Sequence, residues 1–313
     1  MVKDDKKKVG SSETTREALD FHLSEYTKAK PSHIQKIDIP FLEWFIGFVE
    51  GDGSFIVGTS TAKKRKTISF CINQKDSKLM YKIKKKLGFG IVTAFVQNNE
   101  TYHRYAVYDI QNITRLIHLF NGNLLLNKVN TRFQLWLNEY NTLYSATLSS
   151  HTFILHKPCQ STLSLDSAWL SGFTDAEGGF YASLTKQTNL KLQYRLRMKF
   201  YITQKYELEV LKNIVKLIHQ NSNQSNDASF DSVRYISNFK LDFYRLEIST
   251  HAYLLRTIAY FEKYQLKGKK HIVFNRWKRI YLNKDILKKQ ASSSEKAFIR
   301  FKRLISSVQK SEN

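Results

Sequence analysis

Two segments of this chain end in the same chemical signature. Residues 44–55 read WFIGFVEGDGSF and residues 169–180 read WLSGFTDAEGGF. Each is a Trp-led apolar stretch with a small residue every fourth place. Each closes on two acids one residue apart, Glu50 and Asp52 in the first copy, Asp175 and Glu177 in the second. A Gly and an aromatic follow, as at the start of a strand. The small residues Gly47 and Gly51, and Gly172 and Ala176, share one helix face and let two backbones approach closely. Such spacing is usual between membrane helices, but acids inside the segment exclude that setting. The copies therefore predict two similar lobes joined through two packed helices. Where the C-terminal ends of those helices meet, Asp52 and Glu177 come together. The helix dipole disfavours an acid at that end, so a repeated one needs a counter-charge. Mg²⁺ shared with phosphate oxygens supplies it. Glu50 and Asp175 are expected to serve structural roles.

The bulk composition fits that chemistry. The chain has 313 residues, enough for two cores. Its hydrophobic content of 42% suits a globular protein. Fifty Lys+Arg against 27 Asp+Glu leave a net charge of +23, which suits a polyanionic partner. No apolar run reaches the roughly 18 residues of a membrane span. Two cysteines, Cys71 and Cys159, are too few for a disulfide framework or zinc site, and imply a reducing compartment. Residues 1–37 are charged and poor in large apolar side chains. They read as a basic flexible tail with a short helix near Ala18 to Tyr26. Asp4, Asp5, Glu13, Glu17 and Asp20 argue against a transit peptide.

The elements that position the acids repeat in order. In the first unit Asp38 and Pro40 open a helix running to about Gly51. Phe55 and Val57 alternate with Ser54, Ile56 and Gly58. After the basic Lys63–Lys66 loop, Ile68, Phe70 and Ile72 alternate with Thr67, Ser69, Cys71 and Asn73. Lys75 to Leu87 is helical, broken at Gly88 and Gly90. A hairpin over Ile91–Gln97 and His103–Ile110 turns at Asn98-Asn99, and helices near Ile113–Asn121 and Asn127–Tyr144 close the unit. The second unit repeats the pattern, with a helix over Glu207–His219 and a Ser/Asn-rich loop from Asn221 to Ser229. The fold class is α+β: two pseudo-symmetric αββαββα lobes, each with a four-stranded antiparallel sheet. The expected divisions are an N-terminal tail (1–37), a first lobe (38–144), a linker (145–166), a second lobe (167–285) and a basic C-terminal extension (286–313).

The strongest period-two pattern lies in the second lobe. Tyr194, Leu196, Met198, Phe200 and Ile202 share one face; Gln193, Arg195, Arg197, Lys199, Tyr201 and Thr203 share the other. That second face is expected to carry its charges without compensating acids. Antiparallel ribbons of this kind can enter a major groove and present side chains to base edges.

With these residues the chain resembles a LAGLIDADG homing endonuclease in its single-chain, two-motif form. The resemblance rests on FIGFVEGDG at 45–53 and LSGFTDAEG at 170–178, and covers roughly residues 38–285. It implies that Asp52 and Glu177 bind the divalent metals, Mg²⁺ among them, helped by the carbonyls of Gly51 and Ala176. It places Gln74 and Gln204 at matching positions around the metals and water. It also implies a pocket lysine from each lobe: Lys128 in the first, and Lys269, eight residues before Trp277 as Lys128 is before Trp136, or its neighbour Lys270. Strand parity nominates Ser54, Ser60, Ser69 and Asn73 as DNA readers in one lobe, and Tyr181, Ser183, Arg195, Arg197, Lys199 and Tyr201 in the other. The motifs depart mildly from the commonest pattern at Glu50, Thr174 and Glu177, and neither metal acid is lost.

The resemblance implies a monomer that makes a double-strand break with 3′ overhangs in a long, non-palindromic double-stranded DNA target. An organellar intron origin, in a mitochondrion or chloroplast, goes with it. The alternative is an intron maturase, with host intron RNA as the partner; a DNA-binding regulator of the same descent is a third. Retention of both acids favours the nuclease.

Overall fold

The computed structural model describes residues 21–60, 65–145, 153–159, 161–187, 194–220, 232–238, 241–287 and 295–310. In the first lobe these form α1 (Ser24–Ala29), α2 (Ile39–Asp52), β1 (Gly53–Ser60), β2 (Arg65–Gln74), α3 (Ser77–Leu87), β3 (Ile91–Gln97), β4 (Glu100–Val107), α4 (Ile110–Phe120) and α5 (Asn127–Ser145). The second lobe contains α6 (Trp169–Glu177), β5 (Gly178–Lys186), β6 (Tyr194–Lys205), α7 (Leu208–His219), β7 (Ser232–Asn238), β8 (Leu241–Ile248), α8 (His251–Lys263), α9 (Lys270–Leu282), a 3₁₀ turn at Lys284–Leu287 and α10 (Glu295–Gln309). Each lobe builds a four-stranded antiparallel sheet, ordered β1-β2-β4-β3 and β5-β6-β8-β7. Both sheets begin in the same register, Gly53 opposite Ile72 and Gly178 opposite Ile202. Each motif helix therefore delivers its last acid to the same corner of its sheet.

Local chemistry sets these boundaries. Asp38 accepts the Phe41 N–H at 3.1 Å and Pro40 occupies the first turn, so α2 starts where both signals coincide. Asp76 caps α3 through the Leu79 N–H, and Gly88, at φ +80°, ends it in the left-handed conformation. The β3–β4 hairpin turns on Asn98 and Asn99, at φ 51° and 61°; Asn tolerates that region best among residues with a side chain. Behind the sheets the two lobes bury matched aromatics. Phe55, Phe70, Phe133 and Trp136 cluster in the first lobe, and Phe180, Phe200, Phe274 and Trp277 in the second. Among the described residues no helix is long and apolar enough to cross a membrane.

Both terminal expectations need correction. Residues 21–37 are not a free tail. Phe21 and Tyr26 are buried in the core of the first lobe, and the segment is bonded to α4 and the residues after it. His22 and Asn123 exchange two hydrogen bonds of 2.8 and 3.0 Å, and Arg115 donates to the Ala29 carbonyl at 2.8 Å. Two aromatics among many charges suffice to anchor a strap when a hydrophobic surface waits for them. Residues 1–20, including the start of the expected Ala18–Tyr26 helix, lie outside the described set. The C-terminal extension likewise belongs to the second lobe. In α10, Phe301, Ile305 and Val308 form one buried helical face against β5 and α9. The linker is pinned too. Asn121, Asn130 and Asn141 bond Leu155, His156, Lys157 and Ile154, which lays residues 154–157 along the first lobe.

Candidate active site at the junction of the lobes

The motif helices α2 and α6 cross at their small residues. A Cβ added at Gly47 would lie 2.1 Å from the Trp169 carbonyl oxygen, and one at Gly172 would lie 1.8 Å from that of Trp44. Only glycine permits this approach of backbone to backbone. Lower down, the space a side chain would need at Gly51 is filled by Ala176 and Glu177.

The first acid of each motif latches the lobes together. Asp175 accepts the Trp44 indole N–H at 2.9 Å across the interface and the Lys267 N–H at 2.6 Å within its own lobe, with Gly268 N–H at 3.3 Å. Glu50 does the same in mirror image, taking the Trp169 indole and the Leu126 N–H at 2.6 Å. Burial pushes Glu50 up to about 8 against these donors, and raises Asp175 for the same reason. The structural role expected for these two acids matches their surroundings.

The second acids face each other in a partly buried corner. Burial raises Asp52 to about 6, with the Glu177 charge adding and Lys270 and Gln74 opposing. Burial also raises Glu177, opposed by Lys128, Lys270 and Gln204. Burial of these carboxylates outweighs the lysines beside them, so a further positive charge would stabilise their ionised forms, which is the electrostatic condition for cation binding. Among the described residues no group of three or more His, Cys, Asp or Glu could hold a metal. The donors that meet here are the two carboxylates, whose oxygens fit a hard cation keeping water and phosphate ligands.

Each acid is served by residues from both lobes. Gln74 Nε2 donates to Asp52 at 2.6 Å from the same lobe, while the lysine that opposes burial at Asp52 is Lys270 of the other. Gln204 stands beside Glu177 in the second lobe, and Lys128 reaches over from the first to bond Gln204 Oε1 at 2.5 Å and the Lys205 carbonyl at 3.3 Å. Gln204 is only 4% exposed, yet its Nε2 makes no hydrogen bond of normal geometry. Burial lowers both lysines, against the pull of the neighbouring acids.

The pocket lysine of the second lobe is Lys270, whereas Lys269 is exposed at the cap of α9. Spacing from Trp277 had favoured Lys269. The reason lies in the turn. Glu50 takes the N–H groups of Leu125 and Leu126, and Asp175 takes those of Lys267 and Gly268. Counting two residues on from each pair gives Lys128 and Lys270. The second turn is thus one residue out of step with its helix. Lys270 also bonds the Thr174 and Ala176 carbonyls at 3.1 and 2.9 Å, so the expected metal-facing carbonyl of Ala176 already carries an ammonium.

The open sheet faces hold the other nominated residues. Ser54, Ser69 and Asn73 share one face in the first lobe, although Asn73 Oδ1 is taken by Arg104 Nε at 2.9 Å. The Ser60 side chain lies outside the described set, as does Gln193. In the second lobe Tyr181 lies opposite Lys199, and Ser183 opposite Arg197. Arg195 and Arg197 are exposed. Lys199, however, is paired with Glu247 at 2.6 Å, and Tyr201 lies 4.8 Å under the Arg245 guanidinium. The face is therefore not free of acids; the compensating residue comes from β8, whose pairing parity alone did not reveal. Arg104 and Arg245 were missed. They occupy matching places, each donating Nε to the residue before the glutamine, Asn73 or Thr203. Their alternation within the two hairpins was the available signal. Phe95 and Tyr102 stack beside Arg104 and extend that face.

Two lobes joined through paired glycine-bearing helices, with an acid of each at the junction, define the fold class. The profile described as LAGLIDADG endonuclease matches residues 45–140 and 170–281, one copy per lobe. The chain belongs to the LAGLIDADG endonuclease family. It is 35% identical over 245 residues to the probable intron-encoded endonuclease 4 of Neurospora crassa, covering 77% of this chain and 40% of that protein. The chain thus spans less than half the length of that relative. Among solved structures, the LAGLIDADG meganuclease I-AabMI bound to uncleaved DNA shares the fold at a TM-score of 0.63 and 20% identity, covering 85% of this chain and 98% of that one. I-SmaMI bound to uncleaved DNA in the presence of calcium ions aligns at 0.62 and 16%, covering 87% and 98%.

Proposed function

We propose that this chain is a site-specific, metal-dependent DNA endonuclease that hydrolyses one phosphodiester in each strand of a long, asymmetric duplex target. One observation carries the reading. Two acids of raised pKa meet at the lobe junction, each flanked by a glutamine of its own lobe and a lysine of the other. A two-fold related pair of pockets is what cutting two antiparallel strands requires. The net charge and the arginines on the sheet faces support duplex DNA as the substrate.

Asp52 and Glu177 would hold divalent cations, Mg²⁺ being the fitting one for an oxygen-only set that includes phosphate. When bound, the cations supply electrophilic pull on the scissile phosphate and favour deprotonation of a nearby water. Gln74 and Gln204 orient that water and the carboxylates. Lys128 and Lys270 face the phosphate and stabilise the charge that grows on it. Tight closure of α2 on α6 sets the separation of the two pockets, and hence the stagger of the cuts. Arg195, Arg197, Arg104 and Arg245 grip the duplex from the sheets. The intron-encoded relative supports an intron origin.

The test is cleavage of a plasmid carrying the uninterrupted sequence of the host gene, with Mg²⁺, beside Asp52→Asn and Glu177→Gln. Linear product from the unmodified protein alone supports the reading. DNA binding by all three with no cut strand refutes it.

A further inference from the structure

Glu207 has no role in the chemistry above, yet its carboxylate lies beside the Glu177 pocket, against the start of α5 from the opposite lobe. It is 5% exposed, and it accepts the Lys128 backbone N–H at 3.0 Å and that of Asn127 beside it. These are the first two N–H groups of α5, which has no helical partner for them and whose dipole favours an acid there. Glu207 belongs to the second lobe and α5 to the first. The contact therefore ties the base of the Lys128 side chain to the same β6–α7 turn that holds Gln204, the residue its ammonium bonds.

The second lobe gives up local order for this contact. In the first lobe, the turn from β2 into α3 ends in an ordinary cap, with Asp76 accepting the Leu79 N–H. In the second, Glu207 occupies the cap position of α7 and makes no side-chain cap bond there. The residue before it, Tyr206, is left-handed at φ +63°, a costly conformation for a bulky side chain, and is 55% exposed, so nothing buried rewards it. Aligning Gln74 with Gln204 puts Asp76 against Tyr206 and Ser77 against Glu207. The cap residue of α9, Lys269, likewise makes no side-chain cap bond. Among the described residues, a carboxylate tether of this kind is found at α5 and not at α9.

We propose that Glu207 is a positioning residue that holds Lys128 in the Glu177 pocket, so that hydrolysis of one DNA strand depends on it and hydrolysis of the other does not. The inference rests on the nuclease reading for its strand assignment and on geometry for the positioning. The orienting contact is made through the backbone of Lys128; the carboxylate itself does not face the reacting phosphate.

Two measurements test it. On a linear duplex target with each strand end-labelled in turn, Glu207→Ala slows one strand at least about tenfold, as misplacement of a catalytic group by about an ångström does. On a supercoiled target nicked circles accumulate, and the slowed strand is the one slowed by Lys128→Met, not by Lys270→Met. Glu207→Gln, which keeps the acceptor oxygen, restores much of the rate. Equal slowing of both strands, or no slowing, overturns the proposal. The second measurement needs no cleavage. The rate at which an amine-reactive acylating reagent modifies Lys128 is followed by mass spectrometry, with Lys270 as internal reference. Glu207→Ala raises the Lys128 rate several-fold and leaves Lys270 unchanged. An unchanged Lys128 rate overturns the positioning role even if the unmodified protein cuts no DNA, an outcome that would separately refute the nuclease reading.

Discussion

The first lobe presents Ser54, Ser69 and an Asn73–Arg104 pair on its open sheet face, whereas the second presents Arg195, Arg197, a Lys199–Glu247 pair and Arg245 stacked on Tyr201. Beneath those faces the two lobes match. Their aromatic cores occupy the same strand and helix positions, and their motif helices start each sheet in the same register. Packing fixes what is shared, because a core aromatic must fill a set volume. The open faces are free to diverge, since a solvated side chain meets no such demand. A duplicated scaffold can thus read two unlike half-sites while keeping one catalytic geometry. The comparison extends to the junction, where Glu207 caps the α5 of the opposite lobe and, among the described residues, no matching carboxylate caps α9.

The largest effect should come from the contact on which the symmetry rests. Gly172→Ala drives a Cβ into the Trp44 carbonyl and should cost about 3 kcal/mol or more of unfolding free energy, or prevent folding. Gly58→Ala, whose nearest neighbour is Thr67 Oγ1 at 3.3 Å, should be tolerated. Denaturant unfolding of both variants measures the difference, and equal stability would break the account of the interface. Next, Asp52→Asn and Glu177→Gln should each reduce double-strand cleavage by at least about 100-fold while leaving affinity for the target within a few-fold of that of the unmodified protein. Gel-shift and cleavage assays read the two quantities separately.

Acidity offers a third handle. Glu50 and Asp52 have folded pKa values near 8 and 6, above their ordinary 4.5 and 3.8. The folded state therefore binds more protons than the unfolded chain between those limits, and stability falls as pH rises. The melting temperature of metal-free protein should decline from pH 5 to pH 8, and Mg²⁺ should recover part of the loss at pH 8 by compensating Asp52 and Glu177. Cleavage should run the opposite way, weakening as pH falls because protons compete with Mg²⁺ for Asp52 and Glu177. A melting temperature that rises with pH in the absence of metal would contradict the burial of these acids.

The sheet faces predict a smaller contrast. Arg195→Ala with Arg197→Ala should weaken DNA binding and flatten its salt dependence, by about one unit of slope for each phosphate that the variant no longer neutralises. Ser54→Ala with Ser69→Ala should leave that slope unchanged. The smallest effect separates the two β–α turns. Asp76→Ala should cost about 1 kcal/mol through loss of its cap. Tyr206→Gly, at the matching place, should leave stability unchanged or raised, because glycine accepts the left-handed backbone without strain.

Much of the site was legible in the chain. The motif spacing located both acids and the close packing of their helices, and the paired glutamines followed from the shared register. Three features were not legible. Lys270 replaced Lys269 because the turn before α9 is one residue out of step, which only the bonds from Asp175 disclose. Glu247 neutralises Lys199 from a strand whose pairing the sequence did not specify. The strap at 21–37 holds on two buried aromatics, too few to stand out among its charges.

By itself the sequence determined what depends on neighbours a few residues away: strand parity, helix caps, the small-residue face and the duplicated acids. Those are consequences of backbone period, and they hold wherever the segment is placed. The tertiary structure alone decided which side chain crosses to which lobe. Lys128 meets Gln204, Lys270 opposes burial at Asp52 and Glu207 caps α5 only because α2 and α6 dock at one fixed distance, with backbones in contact. Reach across an interface depends on rigid-body placement of whole lobes, which no local pattern encodes.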